Sequence, residues 1–123
     1  MYKIYGIPNC NTVKKALTHL DNIGAKYEFI NFKKQPPTKD ELKLWKEAFG
    51  DWPVNKKGPT YRKIKEEFEA ATAPAKYKIL METTSAIKRP ILVKNNKVKT
   101  FGYVEEEFNK LWNMFLLQVH LRV

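Results

Sequence analysis

The sequence predicts an α/β protein in which a four-stranded mixed sheet carries helices on both faces. The first observation is the order of the predicted elements, which is strand, helix, strand, then helices alone, then strand, strand, helix. The second is the hydrophobic content, 43% of 123 residues, which is enough to build the core of one domain. We therefore expect residues 1–123 to form a single domain with a helical insertion at about residues 38–85.

The first part of the chain predicts a βαβ unit. Runs of β-forming residues at Tyr2–Tyr5 and Tyr27–Phe32 flank a helical pattern over about Thr12–Ile23. Apolar residues recur in this pattern at helical spacing, at Val13, Ala16, Leu17, Leu20 and Ile23. Asn11 or Thr12 can cap the start of the helix. A strand, a helix and a strand in this order imply parallel strands with a right-handed crossover.

The middle of the chain predicts helices only. Thr38 and Glu41 fit a capping box, in which each side chain accepts a hydrogen bond from the backbone of the other residue. Thr60 is the expected cap of the second helix, and Pro74 suits the first turn of the third. The side chains expected to face the core are Leu42, Trp45 and Phe49, then Tyr61, Ile64 and Phe68, then Tyr77, Leu80 and Met81.

The last part predicts a hairpin followed by a helix. Strands at Pro90–Lys94 and Lys97–Phe101 are joined by Asn95 and Asn96, a residue type that tolerates the positive φ angles of a tight turn. A helix over about residues 103–119 follows, with an apolar stripe of Phe108, Leu111, Trp112, Phe115, Leu116 and Val119. Its far end can pack on the body, pack on another subunit or fray. The complete order of elements is that of the thioredoxin architecture.

Charge and composition narrow the function classes. A net charge of +10 invites anionic partners such as nucleic acid. Nearly all basic residues are lysines spread along the chain, however, which favours a solvated surface over nucleic-acid binding. The chain shows neither an apolar run of about 20 residues, which a membrane span needs, nor a secretory signal pattern. We therefore expect a cytoplasmic protein that does not bind membranes, metals or a resident cofactor.

The single cysteine, Cys10, carries the predicted chemistry. It lies between the first strand and the first helix, where free N–H groups and the helix dipole stabilise a thiolate. Lys14 and Lys15, one turn later, can lower the pKa of the thiol further. The alternative is a buried cysteine that acts as a small hydrophobic residue. Because Val13 stands where a C-x-x-C pair has its second cysteine, any disulfide of Cys10 must form with a small thiol, a protein partner or a second copy of the chain. Glutathione is the obvious candidate.

Arg89 is the second candidate for the site. It precedes Pro90 at the start of the third strand, which in a thioredoxin-type sheet begins beside the loop that carries the nucleophile. We expect a cis bond before Pro90 and the guanidinium of Arg89 near Cys10, where it would lower the thiol pKa and bind an oxyanion. The alternative is a surface arginine at a strand start. Lys88 is expected to be solvated, and His19 to lie on the helix surface without a role.

Three segments of the chain resemble, in the same order, the arsenate reductase-related (ArsC-like) family in its Spx/YffB branch. Tyr5–Ala16 resembles the family's cysteine loop, and Lys57–Lys63 resembles the Arg-Gly-Thr segment in the middle of that branch. Ile87–Leu92 resembles the start of its Arg-Pro strand. The resemblance runs from about Met1 to about Trp112, and it implies a thioredoxin-like fold with a helical insertion.

The resemblance also implies a function, namely a thiol or oxyanion reductase that uses glutathione, with glutaredoxin as a further candidate partner. Cys10 is then the nucleophile, and Arg89 stabilises the thiolate and the anion. The expected substrate contacts are Asn11, Thr12, Lys57 and Pro90. The resemblance implies that true arsenate reductases of the family bind the oxyanion with two further arginines, one in the mid-chain segment and one near the end of the last strand. In this sequence the mid-chain candidates are Asn55, Lys56 and Lys57, and the end of the last strand reads Phe101-Gly102-Tyr103, so neither arginine has a match.

The alternative within the family is a regulator similar to Spx, which implies binding to RNA polymerase rather than catalysis. Spx proteins carry a C-x-x-C switch. Val13 removes the second thiol of such a switch but leaves polymerase binding through the helical insertion open.

Overall fold

The structure, a computed structural model, describes residues 1–111. Its sheet has the strand order β2-β1-β3-β4, with bounds β1 (Tyr2–Gly6), β2 (Tyr27–Asn31), β3 (Ile91–Lys94) and β4 (Lys97–Phe101). Strand β1 pairs in parallel with β2 and antiparallel with β3, and β3 pairs antiparallel with β4. The predicted mixed sheet and thioredoxin-like fold are confirmed.

The helices lie where the sequence predicts them, with bounds that differ by a few residues. Their ranges are α1 (Asn11–Asn22), α2 (Lys39–Phe49), α3 (Pro59–Ala70), α4 (Ala73–Glu82) and a last helix at residues 105–111. None of these helices is long and apolar enough to cross a membrane. The second part of the predicted helix over 103–119, including Trp112, Phe115, Leu116 and Val119, lies outside the described residues. That residues 1–123 form one domain stays a prediction.

Alternation along the two central strands builds a core on each face of the sheet, because successive side chains of a strand point to opposite faces. One core contains Ile4, Ala16, Leu20, Leu92, Phe108 and Leu111, from β1, β3, α1 and the last helix. The other is built on Tyr5, Ile91 and Val93 and is covered by α2, α3 and α4. The helical segment between β2 and β3 therefore covers the face of the sheet opposite to α1.

The hairpin turn and the capping box of α2 are confirmed, whereas the predicted cap of α1 is wrong. Asn95 and Asn96 have φ angles of 53° and 59°, as the tight turn requires. Thr38 and Glu41 form the predicted capping box at α2. At α1, in contrast, the N-cap residue is Cys10 itself, with an extended backbone and no side-chain cap, so the prediction of a cap at Asn11 or Thr12 is wrong.

The predicted cap of α3 is also wrong. This helix begins one residue earlier, at Pro59, and its N-cap is Gly58 rather than Thr60. Proline is favoured at the first helical position because the N–H that it lacks would have no partner there.

Two aromatic contacts at the surface differ from the prediction. Phe49, expected in the core, is 38% exposed, because it ends α2 beyond the core and packs on Phe101 of the edge strand at 5.0 Å between ring centroids. His19, expected on the surface, is half-buried. Its Nδ1 shares a 2.8 Å hydrogen bond with the hydroxyl of Tyr103, and its ring lies 5.5 Å from that of Phe108.

The turn from β1 into α1 depends on close packing at Gly6. A Cβ atom at Gly6 would lie 2.9 Å from Cγ2 of Val13, which is fully buried. We expect Gly6→Ala to lower the free energy of unfolding by about 1–3 kcal/mol, as overpacking of a core does, measured by urea denaturation.

The double variant Gly6→Ala/Val13→Ala provides the control, because it removes the atoms that would clash. We expect its loss of stability to be smaller than the sum of the two single losses by at least about 0.5 kcal/mol. Additive losses would contradict the contact as the cause.

Candidate active site

The end of β1 and the start of β3 meet at one edge of the sheet, since the two strands are antiparallel and Tyr5 lies opposite Ile91. Cys10 follows β1 after a short turn, and Arg89 lies two residues before the start of β3. The pairing of β1 with β3 therefore brings the two predicted residues together. A cavity of about 160 Å³ at this edge is lined by Cys10, Thr12, Asn55, Lys88, Arg89 and Gly102.

The Cys10 thiol is half-buried at the N-terminus of α1. Burial raises the pKa of this thiol, but hydrogen bonds from the backbone N–H groups of Val13 and Thr12, together with the interaction with Arg89, outweigh that effect. The pKa of Cys10 therefore lies below its ordinary value. The expected contribution of the lysines on the first turn of α1 is not among these causes. Because the thiolate is the reactive form of cysteine, this position suits nucleophilic chemistry.

Arg89 is held in place by the backbone around it. Its Nη1 donates to the carbonyl oxygens of Ser85, at 2.7 Å, and Ile87, at 3.4 Å. Its Nε is buried and has no hydrogen-bond partner among the described residues. An unpaired buried donor is costly, so this atom favours an anion beside it. The bond between Arg89 and Pro90 is cis, as predicted.

A short antiparallel contact fixes two further residues at the cavity wall. It joins the loop before α3 to the segment before β3 through three backbone contacts, namely a bridge between Val54 and Ile87 and hydrogen bonds of 2.9 Å from Asn55 N to Ala86 O and 2.8 Å from Lys88 N to Pro53 O. Both residues of the bridge are buried. The side chains of Asn55 and Lys88 are thereby placed on the cavity that contains Cys10 and Arg89.

The predicted substrate contacts are only partly brought together. Thr12 lines the cavity, and Pro90 is buried directly after Arg89. Asn11 is exposed and lines a separate groove along α1. Lys57 is exposed and is not among the residues that line the cavity.

The position expected for Lys57 is taken by Asn55, two residues earlier. Lys88, predicted to be solvated, is half-buried, lines the cavity and lies with its Nζ 5.3 Å from the ring centroid of Phe49. Neither residue stands in a pattern that periodicity could reveal. What could indicate these residues in the sequence is their position next to other segments of the site. Lys88 directly precedes Arg89, and Asn55 lies three residues before Gly58.

Gly58 supports Asn55. A Cβ atom at Gly58 would lie 2.8 Å from Nδ2 and 3.3 Å from the backbone oxygen of Asn55, and the N–H of Gly58 donates to that oxygen at 3.0 Å. The glycine of the mid-chain segment therefore permits the close approach of Asn55. Among residues 1–111, no group of three or more His, Cys, Asp or Glu side chains is placed to hold a metal ion.

Comparison with solved structures supports the fold. The YFFB protein superimposes with a TM-score of 0.79 and 31% identity, over 89% of this chain and 97% of that protein. A possible arsenate reductase from Streptococcus mutans gives a TM-score of 0.73 and 29% identity, over 89% of this chain and 98% of that protein.

Sequence relatives include proteins of two kinds. The uncharacterised protein YusI of Bacillus subtilis is 33% identical over 113 residues, which is 88% of this chain and 95% of that protein. The global transcriptional regulator Spx of Listeria innocua is 21% identical over 113 residues, which is 89% of this chain and 86% of that protein.

A family model that matches most of the chain identifies the family of this protein. The model of the ArsC family matches residues 5–111, which include every residue that lines the Cys10 cavity. The chain therefore belongs to the ArsC family, in the branch that contains Spx and YffB.

Proposed function

We propose that this protein is a glutathione-dependent reductase of the cytoplasm in which Cys10 is the only thiol that reacts with substrate. The observation that carries the proposal is the half-buried thiol at the start of α1, whose pKa is lowered by two backbone N–H groups and by Arg89. A thiolate held in this way is a nucleophile near neutral pH. Since the chain has one cysteine, the second thiol must come from another molecule.

The reaction is a thiol–disulfide exchange in two steps. The Cys10 thiolate attacks the glutathionyl sulfur of a mixed disulfide, the S–S bond breaks, and the substrate sulfur leaves as a thiolate that takes a proton from solvent. A second glutathione thiolate then attacks the glutathionyl sulfur bound to Cys10 and releases the Cys10 thiolate. The net reaction converts a glutathionylated thiol and one glutathione into a free thiol and glutathione disulfide. Glutaredoxin can take the place of glutathione in the second step.

The cavity favours thiol substrates over arsenate. An oxyanion in the cavity would meet the Cys10 thiolate and the guanidinium of Arg89, with Lys88 as the one further cationic residue that lines the cavity among the described residues. The arsenate reductases of the family are expected to use two more arginines, and in this chain the cavity is instead lined by Asn55 on the mid-chain side and by Gly102 after the last strand. A single fixed guanidinium balances the charge of a thiolate more readily than that of a multiply charged oxyanion.

Incubation with oxidised glutathione tests the proposal. We expect one glutathionyl group per chain, attached at Cys10, when the product is examined by mass spectrometry of the intact protein and of its peptides. Added reduced glutathione should then remove the group, because the second step regenerates the thiolate.

The Cys10→Ser variant is the control, and it should acquire no glutathionyl group. A wild-type protein that stays unmodified, although its cysteine reacts with an alkylating reagent, would contradict the proposal.

Arg89 should set the reactivity of Cys10 in a pH-dependent way. Because the guanidinium stabilises the thiolate, Arg89→Gln should shift the midpoint of the alkylation rate of Cys10 to higher pH. The measurement is the rate of reaction with iodoacetamide between pH 5 and pH 10, a range set by the ordinary cysteine pKa of about 8.5.

The matched control is Arg62→Gln, which removes an exposed arginine of α3 away from the cavity. It should leave the midpoint unchanged. An equal shift in both variants would mean that net charge, rather than Arg89, controls the thiol.

A second candidate function rests on the Spx relatives, which align over 89% of this chain. In this alternative the protein binds RNA polymerase and acts as a regulator, for which Cys10 is dispensable. Full cellular function of Cys10→Ser, together with capture of the RNA polymerase α subunit by the purified protein, would favour it. Failure to capture that subunit would count against it.

A further inference from the structure

We propose that Lys88 and Phe49 form a specificity edge, which binds the carboxylate-bearing peptide part of an acidic thiol substrate and gives the site a preference for such disulfides over neutral ones. This inference rests on the proposed function and names the substrate class that it serves. The edge consists of Lys88 at the cavity wall, the exposed ring of Phe49 and the ring of Phe101 behind it.

The size of the cavity requires a binding surface outside it. A volume of about 160 Å³ is well below the roughly 300–1,000 Å³ of pockets that enclose a drug-sized ligand. The cavity therefore has room for the reacting sulfur and the atoms next to it, but not for a tripeptide. The remainder of a glutathione-like substrate must lie on the surface that surrounds the opening.

The aromatic side of the edge begins directly at the cavity. Gly102 lines the cavity and donates its N–H to the carbonyl of Pro90 at 2.7 Å, which fixes the end of β4 against the start of β3. The preceding residue, Phe101, packs on Phe49 at 5.0 Å between centroids. Phe49 is 38% exposed although it is a large apolar residue. A flat ring open to solvent beside a reactive thiol offers a surface on which a peptide group can lie.

The charge of Lys88 is available to a ligand. Its Nζ lies 5.3 Å from the Phe49 ring centroid, which places the ammonium at the junction of the cavity and the aromatic surface. Within residues 1–111, the one salt bridge joins Lys56 to Asp51, so no acidic side chain there neutralises Lys88. Residues 112–123 contain no Asp or Glu in their sequence. A carboxylate on the residue next to the reacting cysteine of a peptide substrate would gain an ion pair at this point.

A purely structural role for Lys88, in which its stem only covers the ring, makes a different prediction. In that case the charge is irrelevant, and removing it should change the reactions with acidic and neutral disulfides alike. The reaction rates of one Lys88 variant with an acidic and a neutral disulfide distinguish the structural role from the ligand-binding role.

The experiment measures the rate at which Cys10 attacks oxidised glutathione, which carries carboxylates, and 2-hydroxyethyl disulfide, which is neutral. Lys88→Gln keeps most of the side-chain length and removes the charge. We expect its rate with oxidised glutathione to fall about 3- to 10-fold, in line with the loss of one partly exposed ion pair, and its rate with the neutral disulfide to change less than about twofold. The difference between the disulfides should shrink at high salt, because salt screens the charge.

Lys94→Gln is the matched control, since Lys94 also lies over an aromatic ring, with Nζ 4.9 Å from the ring centroid of Tyr2, at the opposite end of β3 from the cavity. It should leave both rates unchanged. Phe49→Leu, which keeps an apolar side chain but removes the ring, should slow the glutathione reaction about 2- to 5-fold and spare the neutral one. Thermal unfolding of each variant checks that the fold is retained.

The outcomes separate the inference from the proposed function. If the wild type reacts with both disulfides and Lys88→Gln slows them equally, or slows neither, the specificity edge is overturned and the reductase remains. A wild type that attacks only the neutral disulfide overturns the edge and also the glutathione-dependent function, because Cys10 then reacts with a disulfide but not with oxidised glutathione. If Cys10 attacks neither disulfide, the proposed function fails and the edge fails with it.

Discussion

The antiparallel pairing of β1 with β3 is the constraint on which the site depends. It places the residue that starts α1 and the residue that precedes β3 at one edge of the sheet, so that Cys10 and Arg89 meet although 79 positions separate them. Burial of the two central strands between the α1 face and the face covered by α2–α4 fixes their register, because a slip of one residue would turn every core side chain to the wrong face. The geometry of the thiol is therefore maintained by the whole core rather than by the loop alone.

Two opposing effects determine the pKa of the Cys10 thiol. Partial burial favours the neutral form, whereas backbone N–H groups of α1 and the guanidinium of Arg89 favour the thiolate, and the second effect is the larger. Since the donors belong to a helix end and to an arginine anchored on two carbonyls, they are in place before any substrate arrives. Such preorganisation stabilises the thiolate, which is the nucleophilic form of cysteine. Because Cys10 is the only cysteine of the sequence, the proposed mechanism requires an external thiol.

Local patterns in the sequence were sufficient for much of the fold and for the centre of the site. Alternation and helical spacing predict the order of elements, and the asparagine pair predicts the hairpin. The position of Arg89 before Pro90, at the start of the third strand of a thioredoxin-type sheet, predicts that it lies near Cys10. The cavity wall could be predicted only in part: Thr12 was expected there and Asn55 was one of three mid-chain candidates, whereas Lys88 was expected to be solvated. Asn55 and Lys88 reach it through the bridge between Val54 and Ile87, a contact between two irregular segments that share no periodicity. The exposure of Phe49 was missed for a similar reason, since helical spacing gives the face of a residue but not where the core ends.

The central claim is that folding converts Cys10 into a stabilised thiolate, and a titration of this residue tests it most directly. The measurement is the pH dependence of the Cys10 Cβ chemical shift by NMR, in the native protein and in the same chain unfolded in urea. The account predicts a native midpoint clearly below the unfolded one, which should lie near the ordinary value of about 8.5. It also implies, by linkage, that the thiolate adds stability above the unfolded pKa and that this contribution is lost as the pH falls through the native pKa. A native midpoint equal to or above the unfolded one would contradict the account.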